Sequence, residues 1–203
     1  MLASPTPPTD STPDADGRVI MHGIGWWQFE AMLAIRGDQA GVRLAYLEGA
    51  LELMSPSATH ETIKKMLARL LEAYADEKGI VLNGYGSLTM KNAPRERAVE
   101  PDECYVVGSY KTEPDLVIEV IWTSGGLDKR KIYAGLGVRE LWEWRAGKIS
   151  VFALRDGAYV PAAKSELVPD LDLDLLTRHL DTADQTASVR AFRKALRDST
   201  AAD

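Results

Sequence analysis

The residues best equipped for chemistry in this chain are acids set in or beside apolar runs. Glu100-Pro101-Asp102-Glu103 leads into Cys104-Tyr105-Val106-Val107, and Glu113-Pro114-Asp115 opens the run Leu116-Val117-Ile118-Glu119-Val120. A basic stretch, Asp128-Lys129-Arg130-Lys131, follows shortly afterwards. Strands favour Val, Ile and aromatic residues, and a buried carboxylate without a partner is costly. Glu119 lies between Ile118 and Val120 in a run that reads as buried on both faces, so solvent exposure does not account for it. A divalent cation that also binds phosphate would compensate such acids. Mg²⁺ held by one or two carboxylates keeps positions open for water and phosphate. A neighbouring ammonium can stabilise charge on the phosphoryl oxygens or orient the attacking water. Asp102, Glu119 and a lysine on adjacent elements would thus be a minimal set for metal-assisted phosphodiester hydrolysis. Asp115 shares strand parity with Glu119, but four strand residues span roughly 13 Å, so the two cannot ligate one ion directly. Asp115 is expected at the mouth of the strand, after Pro114.

The patterning around these residues predicts the elements that position them. A helix is expected near 26–35, with Trp27, Met32 and Ile35 on one face. Residues 43–47 and 50–54 read as a hairpin about Glu48-Gly49, ended by Ser55-Pro56-Ser57. Ile63, Met66, Leu67, Leu70, Leu71 and Tyr74 repeat at helical spacing, and Gly79 punctuates the turn into a strand over 80–90. Strands follow over 99–107 and 115–122, then a short helix after Gly125-Gly126 ending near Gly135 or Gly137. Residues 139–144 and 148–154 form a second hairpin, continued by 159–161, before late helices over 173–180 and 186–196. The order predicts an α/β (α+β) fold in which a mixed β-sheet is flanked by helices.

The ordered set of motifs resembles the Uma-type family within the PD-(D/E)XK restriction-endonuclease-like superfamily. The similarity runs through Leu51-Glu52-Leu53-Met54-Ser55-Pro56 with His60, then Glu100-Pro101-Asp102-Glu103-Cys104-Tyr105. It continues through Glu113 to Val120, Ile121 to Lys129, Ile132-Tyr133, and Gly135 to Trp144, covering about residues 20–195. The resemblance implies a restriction-endonuclease-like sheet, an Mg²⁺-dependent endonuclease (with Mn²⁺ as a substitute), and nucleic acid, DNA in particular, as substrate. It assigns Asp102 and Glu119 to the metal. The superfamily lysine would stand two residues after Glu119, where this chain has Ile121. In Uma-type relatives the lysine has moved to the following helix, four residues before a tyrosine, which corresponds to Lys129 before Tyr133. Lys131 is the competing candidate, since neighbouring helical positions point differently. His60 and Glu52 are implied as supporting residues. A catalytically silent nucleic-acid- or protein-binding module on the same fold is the alternative, favoured by the net charge of −6 and by Ile121.

Each of these residues also has a plainer role. Asp102 could cap a turn, Glu119 could form a structural ion pair, Lys129 could lie in a solvated charge run, and Glu52 could be an exposed hairpin acid. Trp122, Trp142 and Trp144 read as packing residues rather than a base-stacking platform. Cys104 reads as a packed thiol, because one cysteine and three histidines supply no zinc spacing.

Composition bounds the rest. The chain has 203 residues, 45% hydrophobic and 27% charged, as expected for a globular protein. Residues 1–17, rich in Pro, Ser, Thr and Asp, are expected to be a disordered tail, residues 18–197 one domain, and residues 198–203 a flexible C-terminus. No apolar run reaches about 18 residues and no secretory pattern opens the chain, so a membrane role is not expected. The single cysteine suits the cytoplasm. Cutting both strands of a duplex requires two sites, which makes a homodimer the expected assembly.

Overall fold

The computed structural model describes residues 14–39 and 41–200. Among them, one sheet runs β1 (Gly17–His22), β3 (Ala50–Ser55), β2 (Arg43–Leu47), β6 (Arg97–Val99), β5 (Met90–Asn92), with every neighbouring pair antiparallel. A second runs β11 (Ala158–Ala162), β10 (Lys148–Arg155), β9 (Glu140–Arg145), β8 (Leu116–Val120), β7 (Glu103–Val107), β4 (Leu82–Gly84). Its pairs are antiparallel except for β8 and β9, which are parallel. Parallel strands need a crossover between them. Here the crossover carries α3 (Lys129–Leu136), which Asp128 caps and Gly137 ends in the left-handed conformation. The other helices are α1 (Trp26–Arg36), α2 (Ala58–Lys78), α4 (Leu173–Arg178) and α5 (Gln185–Thr200).

The α+β architecture expected from the element order is present, and alternation along β8 explains how its layers meet. Leu116, Ile118 and Val120 pack with Met66, Leu70 and Tyr74 of α2 and Phe192 of α5. Val117, with Cys104 and Leu141, packs instead with Ile132 and Tyr133 of α3 and with Ala45 and Val99 of the first sheet. The far face of that first sheet buries Phe29 of α1 against Leu44, Tyr46 and Leu51. All five residues of β8 are buried, Glu119 included.

Several expectations need correction. Glu119 stands within β8 of the second sheet, whereas Asp102 lies in the link between the two sheets. The strand expected over 99–107 breaks at Pro101-Asp102, so that β6 joins the first sheet and β7 the second. Proline cannot donate to a ladder, which makes this a natural exit point. The strand expected over 80–90 splits for a similar reason: the chain turns through Gly86 at φ +60°, and β4 and β5 belong to different sheets. In α1 the buried residue is Phe29, whereas Trp27 and Ile35 are 72% and 76% exposed. Strand β1 was not anticipated: its short Val19-Ile20-Met21 run follows directly on the polar segment read as tail, and none of its six residues is buried. The expectation of a tail over 1–17 does not hold for its last residues. Asp14 and Asp16 are fixed by hydrogen bonds and β1 begins at Gly17, while residues 1–13 lie outside the described residues. At the other end α5 extends to Thr200, past the boundary expected at 197, and 201–203 lie outside the described residues.

Candidate active site

Glu119 is placed by strand parity, and its partners by helical periodicity. It shares the α3-facing side of β8 with Val117, and positions 129 and 133 are one helical turn apart on α3. Lys129 Nζ lies 2.6 Å from Glu119 Oε2, and the Tyr133 hydroxyl donates to Glu119 Oε1. Burial, reinforced by the Glu119 charge, raises the Tyr133 phenol well above its ordinary value, so it stays a protonated donor. Lys131 points elsewhere. It is 69% exposed and its nearest acid is Asp128, at 3.8 Å.

Asp102 sits one residue before β7 rather than within a strand. The β7–β8 ladder ends with Glu103 opposite Ile118, and one step beyond it the Asp102 side chain continues the pairing. Asp102 Oδ2 accepts the Val120 amide at 2.7 Å, which ties the acid to the residue next to Glu119. Its Oδ1 faces His60 Nε2 at 3.0 Å and the Arg43 guanidinium. Asp102 and His60 are both fully buried. His60 belongs to the first turn of α2, where Ser57 Oγ accepts its amide. Burial draws the His60 imidazole below its ordinary value, Asp16 opposes this, and the Arg43 and Lys129 cations add to it.

Glu52 is no exposed hairpin acid. It is 1% exposed, with Oε2 accepting the Leu127 amide at 2.7 Å and Oε1 lying 3.4 Å from Arg18 Nε. The 121–128 loop rests directly on this carboxylate. A Cβ at Gly126 would stand 2.7 Å from Glu52 Oε2, so a larger residue there would displace the carboxylate. Glu52, Glu119 and Lys129 line a common cavity of about 350 Å³, whose wall includes Arg18, Arg130 and Arg145. Asp102 and His60 lie outside that lining.

Asp115 does not join them. It precedes the opposite end of β8, fully buried, accepting from the Val107 amide at 3.1 Å, Lys111 at 2.5 Å and Arg139 at 3.2 Å. Burial pushes its carboxyl up, but these three donors outweigh it and hold it below the ordinary value of 3.8. A depressed folded value stabilises the protein above the unfolded value and is lost as pH falls through the folded one. The melting-temperature gap between wild type and Asp115→Asn is therefore expected to be widest near neutral pH. It should close below about pH 4 in melts across a pH series.

Other sequence readings sort themselves by burial. Trp142 and Trp144 are core residues, while Trp122 is 39% exposed, stacks on Trp144 at 6.5 Å, and donates Nε1 to the Asp14 carbonyl at 2.6 Å. The Cys104 thiol is buried and pushed up to about 11 by desolvation, which leaves it a packing group. Sequence reasoning passed over Arg43, Arg18 and Asp16, the partners of Asp102, Glu52 and His60. The only available signal for Arg43 was a cation opening an otherwise apolar strand. Nothing local distinguished Asp16 from the polar residues before it.

A mixed sheet beside a second, antiparallel sheet, with helices packed on both, is consistent with a restriction-endonuclease-like fold. Residues 26–183 match the family described as "Uma2: Putative restriction endonuclease". The chain belongs to that family. No curated protein matches it.

Proposed function

We propose that this protein is an Mg²⁺-dependent endonuclease that hydrolyses phosphodiester bonds in DNA, with Mn²⁺ able to replace Mg²⁺. The observation that carries the reading is the cavity shared by Glu119, Lys129 and Glu52, with Asp102 tied through Val120 to the residue beside Glu119. The family match supports the nuclease class.

The donor set fits the ion. Asp102, Glu119 and Glu52 offer only hard oxygen ligands, the type Mg²⁺ and Mn²⁺ prefer. Glu119 has two protein donors for about four acceptor positions, so capacity is left on a cavity-lining carboxylate. Among the described residues no three His, Cys, Asp or Glu side chains form a ready-made cage. Mg²⁺ is commonly held by one or two carboxylates and completed by water and phosphate, so none is required. Asp102 and Glu119 would hold it, and when bound it would supply Lewis-acid stabilisation of the phosphoryl oxygens and a more acidic water. Lys129 contributes a fixed ammonium at the cavity wall, where it would balance phosphate charge and orient the attacking water. Tyr133 fixes one oxygen of Glu119, and Glu52 anchors the loop that closes one side of the cavity. Arg18, Lys129, Arg130 and Arg145 line the cavity in balance with Glu52, Glu119, Asp128 and Glu143, so a bound cation would tip the wall toward phosphate. A homodimer working in the cytoplasm completes the reading. Two sites account for cleavage of both strands, and one cysteine suits a reducing compartment. Among the described residues no helix is long and apolar enough to cross a membrane.

The test is calorimetric titration of Mg²⁺ and Mn²⁺ into chelator-free protein near neutral pH, with and without a short DNA duplex, followed by plasmid cleavage. Binding in wild type that is lost in Glu119→Gln, together with metal-dependent nicking, is the expected result. Duplex binding without metal uptake or nicking would replace the reading with a silent binding module.

A further inference from the structure

Asp16 is a buried acid beside His60 that the nuclease reading does not use. It lies ahead of the residues that match the family, in a stretch whose composition marks it as tail, yet its side chain is 1% exposed. Oδ1 accepts the Ser57 amide at 2.9 Å, and Oδ2 accepts the Thr123 hydroxyl at 3.1 Å and faces His60 Nδ1 at 3.1 Å. Asp14 reinforces the placement, with Oδ2 accepting the Thr59 amide at 3.2 Å and its carbonyl receiving Trp122 Nε1. The segment thus straps the start of α2 to the 121–128 loop.

We propose that Asp16 is a positioning residue that fixes the tautomer of His60, holding the ring proton on Nδ1 so that Nε2 is presented, unprotonated, to the Asp102 end of the site. A neutral imidazole carries one N–H, and here two carboxylates compete for it, at 3.1 Å on the Nδ1 side and 3.0 Å on the Nε2 side. They are not equal acceptors. Asp102 Oδ1 already meets the Arg43 guanidinium, whereas among the described residues Asp16 is met otherwise by a neutral amide and a hydroxyl. A carboxylate balanced only by neutral dipoles draws a proton more strongly than one beside a full positive charge. The hydrogen bond made by one ring nitrogen determines what the other offers. Nε2 then carries a lone pair 3.0 Å from a proposed metal-binding acid, where it would join Asp102 in holding an ion. That use of Nε2 rests on the nuclease reading, but the tautomer does not.

The discriminating measurement is the two-bond ¹H–¹⁵N correlation of the histidine side chains in full-length, metal-free protein. It is recorded at pH 8, above the ordinary histidine value of about 6.5. His60→Gln identifies the resonances among the three histidines of the chain. Wild type is expected to show His60 protonated at Nδ1 and bare at Nε2. In Asp16→Asn the new amide donates to Nδ1, and the pattern reverses. Asp16→Ala, should the asparagine variant not fold, is expected to shift population toward the Nε2–H form. A wild-type ring protonated at Nε2 overturns the proposal. So does a variant that melts at a lower temperature but keeps Nδ1–H, since that is the behaviour of a purely structural cap. Neither metal nor nucleic acid enters the measurement, so a protein that failed to cleave DNA would leave this result standing.

Discussion

Lys129→Ala is expected to lower the rate of metal-dependent DNA cleavage by about 10²–10⁴-fold, the range for removing a positioned proton-transfer group or charge-stabilising donor. Lys131→Ala should leave the rate within about twofold, because surface changes away from a site are nearly neutral. The contrast follows from helical geometry. Positions 129 and 131 are two residues apart on α3, so one side chain reaches Glu119 at 2.6 Å while the other projects into solvent, 69% exposed. Single-turnover nicking of supercoiled plasmid, with enzyme in excess, isolates the chemical step. Melting curves on both variants separate catalysis from folding, because Lys129→Ala also leaves buried Glu119 with Tyr133 as its remaining protein donor. Equal rates in the two variants would remove Lys129 from the mechanism.

The second large effect is on stability as well as activity. Asp102→Ala removes the acceptor for the Val120 amide and the carboxylate beside Arg43 and His60. Arg43 is only 11% exposed, and breaking such a buried pair by deleting one partner costs about 3–5 kcal/mol. For a chain of this size each kcal/mol lowers the melting temperature by about 2–4 °C, so a fall of roughly 6–20 °C is expected. Asp102→Asn keeps a side-chain oxygen for the Val120 amide but surrenders the charge. It should retain more of the stability while cleavage is lost as completely. Thermal denaturation of the two variants, set beside their plasmid-cleavage rates, checks the pair. A stable, active Asp102→Asn protein would show that the charge at 102 serves neither metal nor substrate.

The sequence by itself determined what short-range periodicity and chemical incongruity can determine. The apolar repeat from Ile63 to Tyr74 specified α2, and the turn at Glu48-Gly49 and the paired runs 139–144 and 148–154 specified their hairpins. A glutamate inside a five-residue apolar strand marked Glu119 as an acid needing a partner, because burial without compensation is too costly to be incidental. Tertiary structure alone decided which residues met. Strand pairing sent β6 and β7 to different sheets and brought Glu52 of a hairpin against Leu127, 75 positions later. It also placed Asp115 at the far end of β8, where Lys111 and Arg139 hold it. The same long-range packing set Asp16 against His60, across 44 positions, although Ala15 and Gly17 on either side of it carry no pattern that would mark it. Periodicity reports which way a side chain faces within its own element. Which element it then faces depends on how the sheets and helices stack, and that is settled by contacts between residues far apart in the chain.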